Sequence, residues 1–203
     1  MIEAKIEISE ADIKDIKMRL GSFQNKTPTV LARAINRTVT NIKKNMAQQT
    51  GGDKGKYNIH SRTIKKTLHS QNATRNRLEG YVKSSGSPIL LSEFNAKIKP
   101  GPLAKVTYKN GKASPGNYRA AVKKVGGSKA LLGDKKAFVS SSKAGLIFLQ
   151  RHSQNSYPLK PLYGPSIPQM IENEESMDFT INDARSTLQK RIDAEIANIL
   201  RKG

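Results

Sequence analysis

The sequence has no cysteine among its 203 residues. Disulfide bonds, thiolate metal sites and a cysteine nucleophile are therefore excluded. Aromatic residues make up 5% and hydrophobic residues 36% of the chain. This is little for a domain that must offset roughly 1–2 kcal/mol of backbone entropy per ordered residue. We expect one domain spanning residues 1–203 that buries part of its apolar surface against neighbouring subunits.

Long apolar runs are also absent. No stretch approaches the 18 or so consecutive apolar residues that a membrane-spanning helix needs. The first residues, Met1–Glu7, alternate apolar and charged side chains, which is unlike a secretory signal peptide. We therefore expect a soluble protein that is made in the cytoplasm and has no membrane partner.

Acidic residues are scarce: 16 Asp and Glu stand against 36 Lys and Arg, a net charge of +20. Such a charge favours an anionic partner, with nucleic acid first, an acidic protein surface second and a membrane surface last. The charge is concentrated between residues 97 and 143, which hold twelve Lys or Arg and the single acid Asp134. The candidate contacts to DNA or to an acidic partner in this basic segment are Lys97, Lys99, Lys105, Lys109, Lys112, Arg119, Lys123, Lys124, Lys129, Lys135 and Lys136.

The basic segment carries no signature of sequence-specific readout. It has no helix-turn-helix pattern and no zinc-ligand spacing, and only Tyr108 and Tyr118 could stack on bases. Lys and Arg on a loop can still neutralise phosphates without reading bases. A solvated loop that contacts an acidic neighbour is an equally good interpretation, so both remain open.

Two amphipathic helices frame the chain. Thr27 as N-cap and Pro28 at the first helical position predict a long helix over about 27–50, which Gly51 and Gly52 end. A second long helix is predicted over about 176–202 from apolar residues at steps of three and four. These residues are Met177, Ile181, Ala184, Leu188, Ile192, Ile196 and Leu200.

Shorter elements lie at the N-terminus. Ile2, Ala4, Ile6 and Ile8 alternate with charged residues and predict a strand with one buried face. A capping box formed by Ser9 and Asp12 predicts a short helix that ends at Gly21. Ser61 is predicted to cap a helix of one or two turns that Ile64 and Leu68 anchor.

Residues 77–151 are predicted to form a sheet with the basic loop inserted in it. The candidate strands are 77–83, 88–94 on the same sheet, 104–108, 137–139 and 145–150, with 109–133 as an extended loop. Four prolines in Tyr157–Pro168 argue against a regular helix or a central strand, so this stretch is predicted to be a shaped connector. The predicted fold class is α+β: a small, mainly antiparallel sheet flanked by the two long helices, with a long basic loop.

The sequence offers no constellation for catalysis. His60, His69 and His152 lack acidic or histidine partners at metal-binding spacing. Glu172, Glu174 and Glu175 could be read as a magnesium site, but an acidic start to a helix is the simpler explanation. We predict no catalytic, cofactor-binding or metal-binding residues, and hence not an enzyme.

One segment resembles a known family. Leu159–Met170 is similar to the signature near the C-terminus of the phage minor tail protein Z family, and three other stretches follow the same order: Ala32–Thr38, Tyr57–Ile59 with Ile64–Lys66, and Pro88–Phe94. The resemblance spans residues 28–172 and is weakest over 95–142. It implies a structural component of the phage virion in the tail or neck, without catalytic residues.

The resemblance further implies a ring of identical subunits, expected to be a hexamer, at the head-proximal end of the tail. Such a ring would complete the tail and help head-tail joining beside the tail terminator and the head-tail connector around the DNA channel. The alternative is a non-specific nucleic-acid-binding protein that acts through residues 97–143. A nuclease or protease accessory role would need a clustered acid or histidine site, which the sequence lacks.

The proline-rich segment supplies the candidate contact surface with a partner subunit. Proline would lower the entropy lost on docking. An internal packing corner is the competing interpretation. The residues are Leu162, Tyr163, Gly164, Pro165, Ile167, Pro168 and Met170.

Overall fold

A computed structural model describes residues 1–94, 108–109, 112–113, 119–125, 129–130, 137–142, 145–152 and 157–202. Among these residues the α-helices are α1 (Glu10–Leu20), α2 (Thr27–Thr50), α3 (Ser61–Thr67), α4 (Ile167–Ile171) and α5 (Glu174–Lys202). Two 3₁₀ helices cover Gly21–Lys26 and Leu91–Glu93. The strands are β1 (Ile2–Ile6), β2 (Leu68–Gln71), β3 (Gly80–Ser84), β4 (Pro88–Leu90), β5 (Tyr108–Lys109), β6 (Lys112–Ala113), β7 (Arg119–Ala120), β8 (Lys129–Ala130), β9 (Ala137–Ser142), β10 (Gly145–Arg151), β11 (Leu159–Pro161) and β12 (Tyr163–Ser166).

Helix α2 is the centre of the hydrophobic core. Its predicted apolar stripe is buried, because side chains at steps of three and four share one face of the helix. This stripe includes Leu31, Ile35, Val39, Ile42 and Met46. The stripe packs against α5 and against the sheet that contains β3.

A polar seam crosses the contact between α2 and α5. Asn45 Nδ2 donates hydrogen bonds to Asp183 Oδ2 (2.6 Å) and to Asn41 Oδ1 (2.7 Å). Asn41 Nδ2 in turn donates to Thr187 Oγ1 (2.8 Å). A shift of α5 along α2 would leave these half-buried groups without partners, so the seam fixes the register of the two helices.

The sheets are small and antiparallel. The strands pair in the orders β1-β3-β2 and β11-β10-β9, and the remaining pairs are β12-β4, β5-β6 and β7-β8. The α+β class with long N-terminal and C-terminal helices is thus confirmed. The predicted single sheet is instead divided into separate small sheets in the described part of the chain. Pro88–Leu90 pairs with β12, not with β3 as predicted.

Two helix starts differ from the prediction. The 3₁₀ helix Gly21–Lys26 runs directly into α2, so Thr27 is already helical and its hydroxyl donates to the carbonyl of Gln24 (2.6 Å) instead of capping. Helix α3 has His60, not Ser61, at the N-cap position. The capping box of Ser9 and Asp12 is confirmed.

The connector contains two strands and the start of a short helix, so the prediction that its prolines prevent a regular helix was wrong. Pro161 ends β11 at the edge of its sheet, where a missing N–H removes no ladder hydrogen bond. Pro168 lies in the first turn of α4, where a helix needs no internal donor. A capping box of Ser166 and Gln169 starts that helix. No helix in the described ranges is long and apolar enough to cross a membrane.

Candidate assembly surfaces

Backbone hydrogen bonds attach the proline-rich segment to the core. Leu162 N donates to the carbonyl of Phe148 (2.8 Å), and Leu91 N donates to the carbonyl of Leu162 (2.9 Å). A Cβ atom on Gly164 would collide with Cε2 of the buried Phe94 ring, so this position has room only for glycine. The segment therefore holds a fixed shape against β4 and β10.

The predicted contact residues divide into two groups. Ile167, Pro168 and Met170 are buried within this chain, and Met170 is fully enclosed. The other four lie at the surface: Tyr163 is 56% exposed, while Leu162, Gly164 and Pro165 are half-buried. Any partner would thus meet this segment at Tyr163 and its immediate neighbours.

A groove between β1 and α5 was not foreseen from the sequence. It has a volume of about 340 Å³, and five consecutive residues, Glu3–Ile6 of β1 and the following Glu7, line one side of it. Residues of both faces of the strand take part, so the groove opens on the strand's edge. Strand β1 lies at the outer position of its sheet, and that edge has no paired strand among the described residues.

Apolar side chains contribute most of the opposite side of this groove. Met177, Ile181 and Leu188 of α5 line it together with Arg185, and Ile42 of α2 lines it as well. An exposed strand edge beside an apolar wall can receive an extended chain or an apolar side chain from another molecule. The alternation of β1 was the only sequence signal that pointed to this edge.

Charges border the groove on the β1 side. Lys5 Nζ lies 2.6 Å from Glu7 Oε1 and 3.4 Å from Glu79 Oε2. The hydrogen bond between Lys5 and Glu7 raises the pKa of Lys5 and lowers the pKa of Glu7. Both side chains therefore stay charged at neutral pH, and they keep the rim of the groove polar.

Helix α5 exposes apolar residues on both sides of its contact with α2. The small residues Ser176, Thr180 and Ala184 are the buried ones in its first half. Phe179 (48% exposed) and Ile181 are left at the surface. Residues two positions apart in a helix point about 160° away from each other around the helix axis. Phe179 and Ile181 therefore lie on opposite flanks of α5. The predicted stripe of α5 is therefore only partly core, since Leu200 is exposed as well.

The basic segment is docked at its centre. Asn58 N donates to the carbonyl of Val122 (2.8 Å), and Lys124 N donates to the carbonyl of Lys56 (2.9 Å). The Lys124 ammonium donates to the carbonyls of Asp53 (2.8 Å) and Gly52, just beyond the C-terminus of α2. A cation there complements the negative end of the helix dipole. Residues 121–124 are thus anchored, and do not form part of a free loop.

The other ten predicted cations fall into three groups. Lys123 forms a bridge with Tyr57 through its backbone and is exposed. Four of the cations lie in the two-residue strands β5 to β8: Lys109, Lys112, Arg119 and Lys129. Five lie outside the described residues: Lys97, Lys99, Lys105, Lys135 and Lys136.

The acidic start of α5 has a structural explanation. Glu174 and Glu175 lie in the first turn of the helix, where they complement its dipole. Lys56 Nζ pairs with Glu175 and donates to Asn173 Oδ1 (2.9 Å). In the described part of the chain, no group of three or more His, Asp or Glu side chains is arranged to hold a metal ion. His60, His69 and His152 are exposed.

The fold and these surfaces define a basic α+β protein with apolar side chains exposed on its C-terminal helix. The family model for prophage minor tail protein Z matches residues 14–202. The chain therefore belongs to the prophage minor tail protein Z family, and the predicted resemblance is confirmed. It is a structural protein of the phage tail and hence a component of the virion. Searches of curated proteins and of solved structures found no match.

Proposed function

We propose that this protein completes the phage tail at its head-proximal end and helps the tail join the head. It does so as a ring of identical subunits, six in number, around the DNA channel. The observation that carries this proposal is that apolar side chains are exposed on two different flanks of α5. One flank carries Phe179, and the other carries Ile181 in the wall of the groove.

Two unlike surfaces are what a ring requires. A ring forms when one surface of each subunit binds a different surface of the next and the rotation closes. The flank with Phe179 and the groove beside β1 lie on one rigid helix, so their relative orientation is fixed. The exposed edge of β1 adds backbone donors and acceptors to the groove side.

The neighbours of the ring are the tail terminator and the head-tail connector. Six copies of a chain with a net charge of +20 repel one another strongly. Phage DNA in the channel, or acidic surfaces on the neighbouring proteins, would offset that repulsion. DNA contact would be non-specific, through phosphates alone.

A second candidate function is non-specific nucleic-acid binding by the isolated protein. The charge of residues 97–143 favours it, and the exposed Lys123 lies in the docked part of that segment. This function predicts tight, salt-dependent binding by a monomer. Tail completion predicts weak binding until the subunits assemble, so the two can be separated.

Light scattering on the purified protein tests the proposal directly. Mass is measured at low and high salt, with and without purified tails. We expect a monomer alone and a fixed, ring-like number of copies on each tail. If the protein does not bind tails and coats duplex DNA instead, the second function replaces tail completion.

Tyr163→Ala is expected to reduce head-tail joining while leaving folding intact. Tyr163 is 56% exposed, so its removal takes little from the core of the monomer. Buried at an interface, a tyrosine is a frequent hot spot whose loss weakens binding by about 2 kcal/mol. Joining is scored by counting complete particles in electron micrographs, and folding by thermal denaturation.

Tyr157→Ala is the matched control, because this tyrosine is 76% exposed in the same segment but outside the predicted contact set. It should join normally. Normal joining by the Tyr163 variant, or equal loss in both variants, would remove Tyr163 from the contact surface.

A further inference from the structure

A second cationic site is formed by residues that lie outside the basic segment. Three elements meet there around a cleft of about 420 Å³: the start of α2, the loop between β2 and β3, and the last turns of α5, at Ile199. Lys26, Arg33 and Arg75 line it. Asn25, Thr29 and Asn76 add polar groups that can donate hydrogen bonds.

The charges of this cleft are poorly balanced within the chain. Arg33 Nη1 lies 3.2 Å from Glu195 Oε2, which is one contact for a guanidinium with five donors. Across the described ranges, Lys26 and Arg75 have no carboxylate within 4 Å. Three like charges around one concavity repel each other unless an anion lies between them.

The chemistry of the lining selects the kind of anion. A phosphate offers several acceptor oxygens in different directions, which suits an ammonium, two guanidinium groups and amide donors from separate elements. Only Pro28 and Ile199 contribute apolar surface, so the apolar residues that flank the acids of a peptide would find little to pack against.

We propose that the cleft of Lys26, Arg33 and Arg75 binds a backbone phosphate of duplex DNA. This site lies outside residues 97–143, and it does not depend on ring formation or on tail completion. One bound phosphate would set the start of α2 against the duplex. The contact reads no base, because phosphate contacts position a protein on DNA without specifying sequence.

The test removes two charges from the cleft in the full-length protein. Lys26→Gln with Arg75→Gln is compared with Lys65→Gln with Lys66→Gln, which removes the same charge from exposed positions on α3. Binding to a short duplex is followed by fluorescence anisotropy over a range of salt concentrations. We expect the cleft variant to bind about tenfold more weakly and to lose about one to two units of salt slope, and the control to change less than about twofold.

A gain-of-function variant makes the test independent of any loss of folding. Glu195→Gln removes the acid that competes for Arg33, whereas Asp178→Asn removes one exposed acid elsewhere on α5. We expect the Glu195 variant to bind the duplex at least about threefold more tightly than the Asp178 variant. Equal affinities would overturn the role of Arg33.

Two competitors identify the source of the phosphate. Inorganic phosphate at constant ionic strength should compete only weakly with duplex if the site is built for a DNA backbone. Efficient competition that is lost in the cleft variant would assign the site to free phosphate instead. The proposal is overturned if poly-glutamate binds as tightly as DNA with the same sensitivity to the cleft variant, or if cleft and control variants lose affinity equally. Because no tails are present, failure here leaves tail completion to its own test.

Discussion

Replacement of Met170 by alanine is expected to lower the free energy of unfolding by about 2–5 kcal/mol. Met170 is 0% exposed and packs in the main core cluster, together with Ile167 and Ile171 of the same short helix. Alanine would remove the buried thioether chain and leave a cavity, because the walls around it belong to α2 and other fixed elements. Chemical denaturation followed by circular dichroism measures the change.

Met18→Ala is the matched control for this variant. Met18 also lies on a helix, but it is 67% exposed. Its replacement should alter the free energy of unfolding by less than about 0.5 kcal/mol. If the Met170 variant kept full stability and failed only in head-tail joining, Met170 would be a partner contact and the packing described for α4 would be wrong.

Replacement of Phe179 by serine is expected to prevent ring assembly while the monomer stays folded. Phe179 is 48% exposed, on the flank of α5 that faces away from the groove. A buried aromatic side chain at an interface commonly contributes about 2 kcal/mol or more, which is about a thirtyfold change in affinity. A closed ring repeats the interface at every subunit, so the loss is multiplied in the assembly.

The copy number on purified tails, measured by light scattering, gives the result for this variant. Met18→Ser serves as the control, since it makes an exposed apolar position on α1 polar. We expect normal copy number with the control and few or no copies with the Phe179 variant. A folded Phe179 variant that fills tails normally would show that this flank of α5 is not a subunit interface.

The long helices were predictable because their signal is local and repeated. Helix α2 was predicted over 27–50 and is observed at Thr27–Thr50. Its stripe from Leu31 to Met46 repeats over about four turns, so one misleading residue cannot change the periodicity. The capping box of Ser9 and Asp12 and the strands β9 and β10 were predicted for similar local reasons, and the structure confirms them.

Strand pairing was not predictable from the same kind of signal. Residues 88–94 read as apolar and extended, but nothing within them says which strand they meet. The structure pairs Leu90 with Tyr163, which lies far along the chain. Such pairing is decided by which edges lie close together after the helices have packed, and single-sequence periodicity carries no information on that.

The candidate surfaces show the same division. The family signature in Leu159–Met170 was readable, but its separation into the buried Met170 and the exposed Tyr163 required the fold. The groove beside β1 was missed, because its two sides are distant in sequence. The cleft at the start of α2 was missed for the same reason, since its cations come from separate elements and form no charge run.

The sequence by itself determined the two long helices, the α+β class, the excess of positive charge and the membership in a phage tail family. These follow from properties that are local or additive along the chain: periodicity, capping, composition and a short motif. Only the tertiary structure decided which face of α5 is core. The polar seam of Asn45 and Asp183 and the small residues Ser176 and Thr180 turn that helix so that Phe179 and Ile181 stay at the surface. That choice depends on hydrogen bonds and close packing between two helices more than a hundred residues apart, which no local pattern encodes.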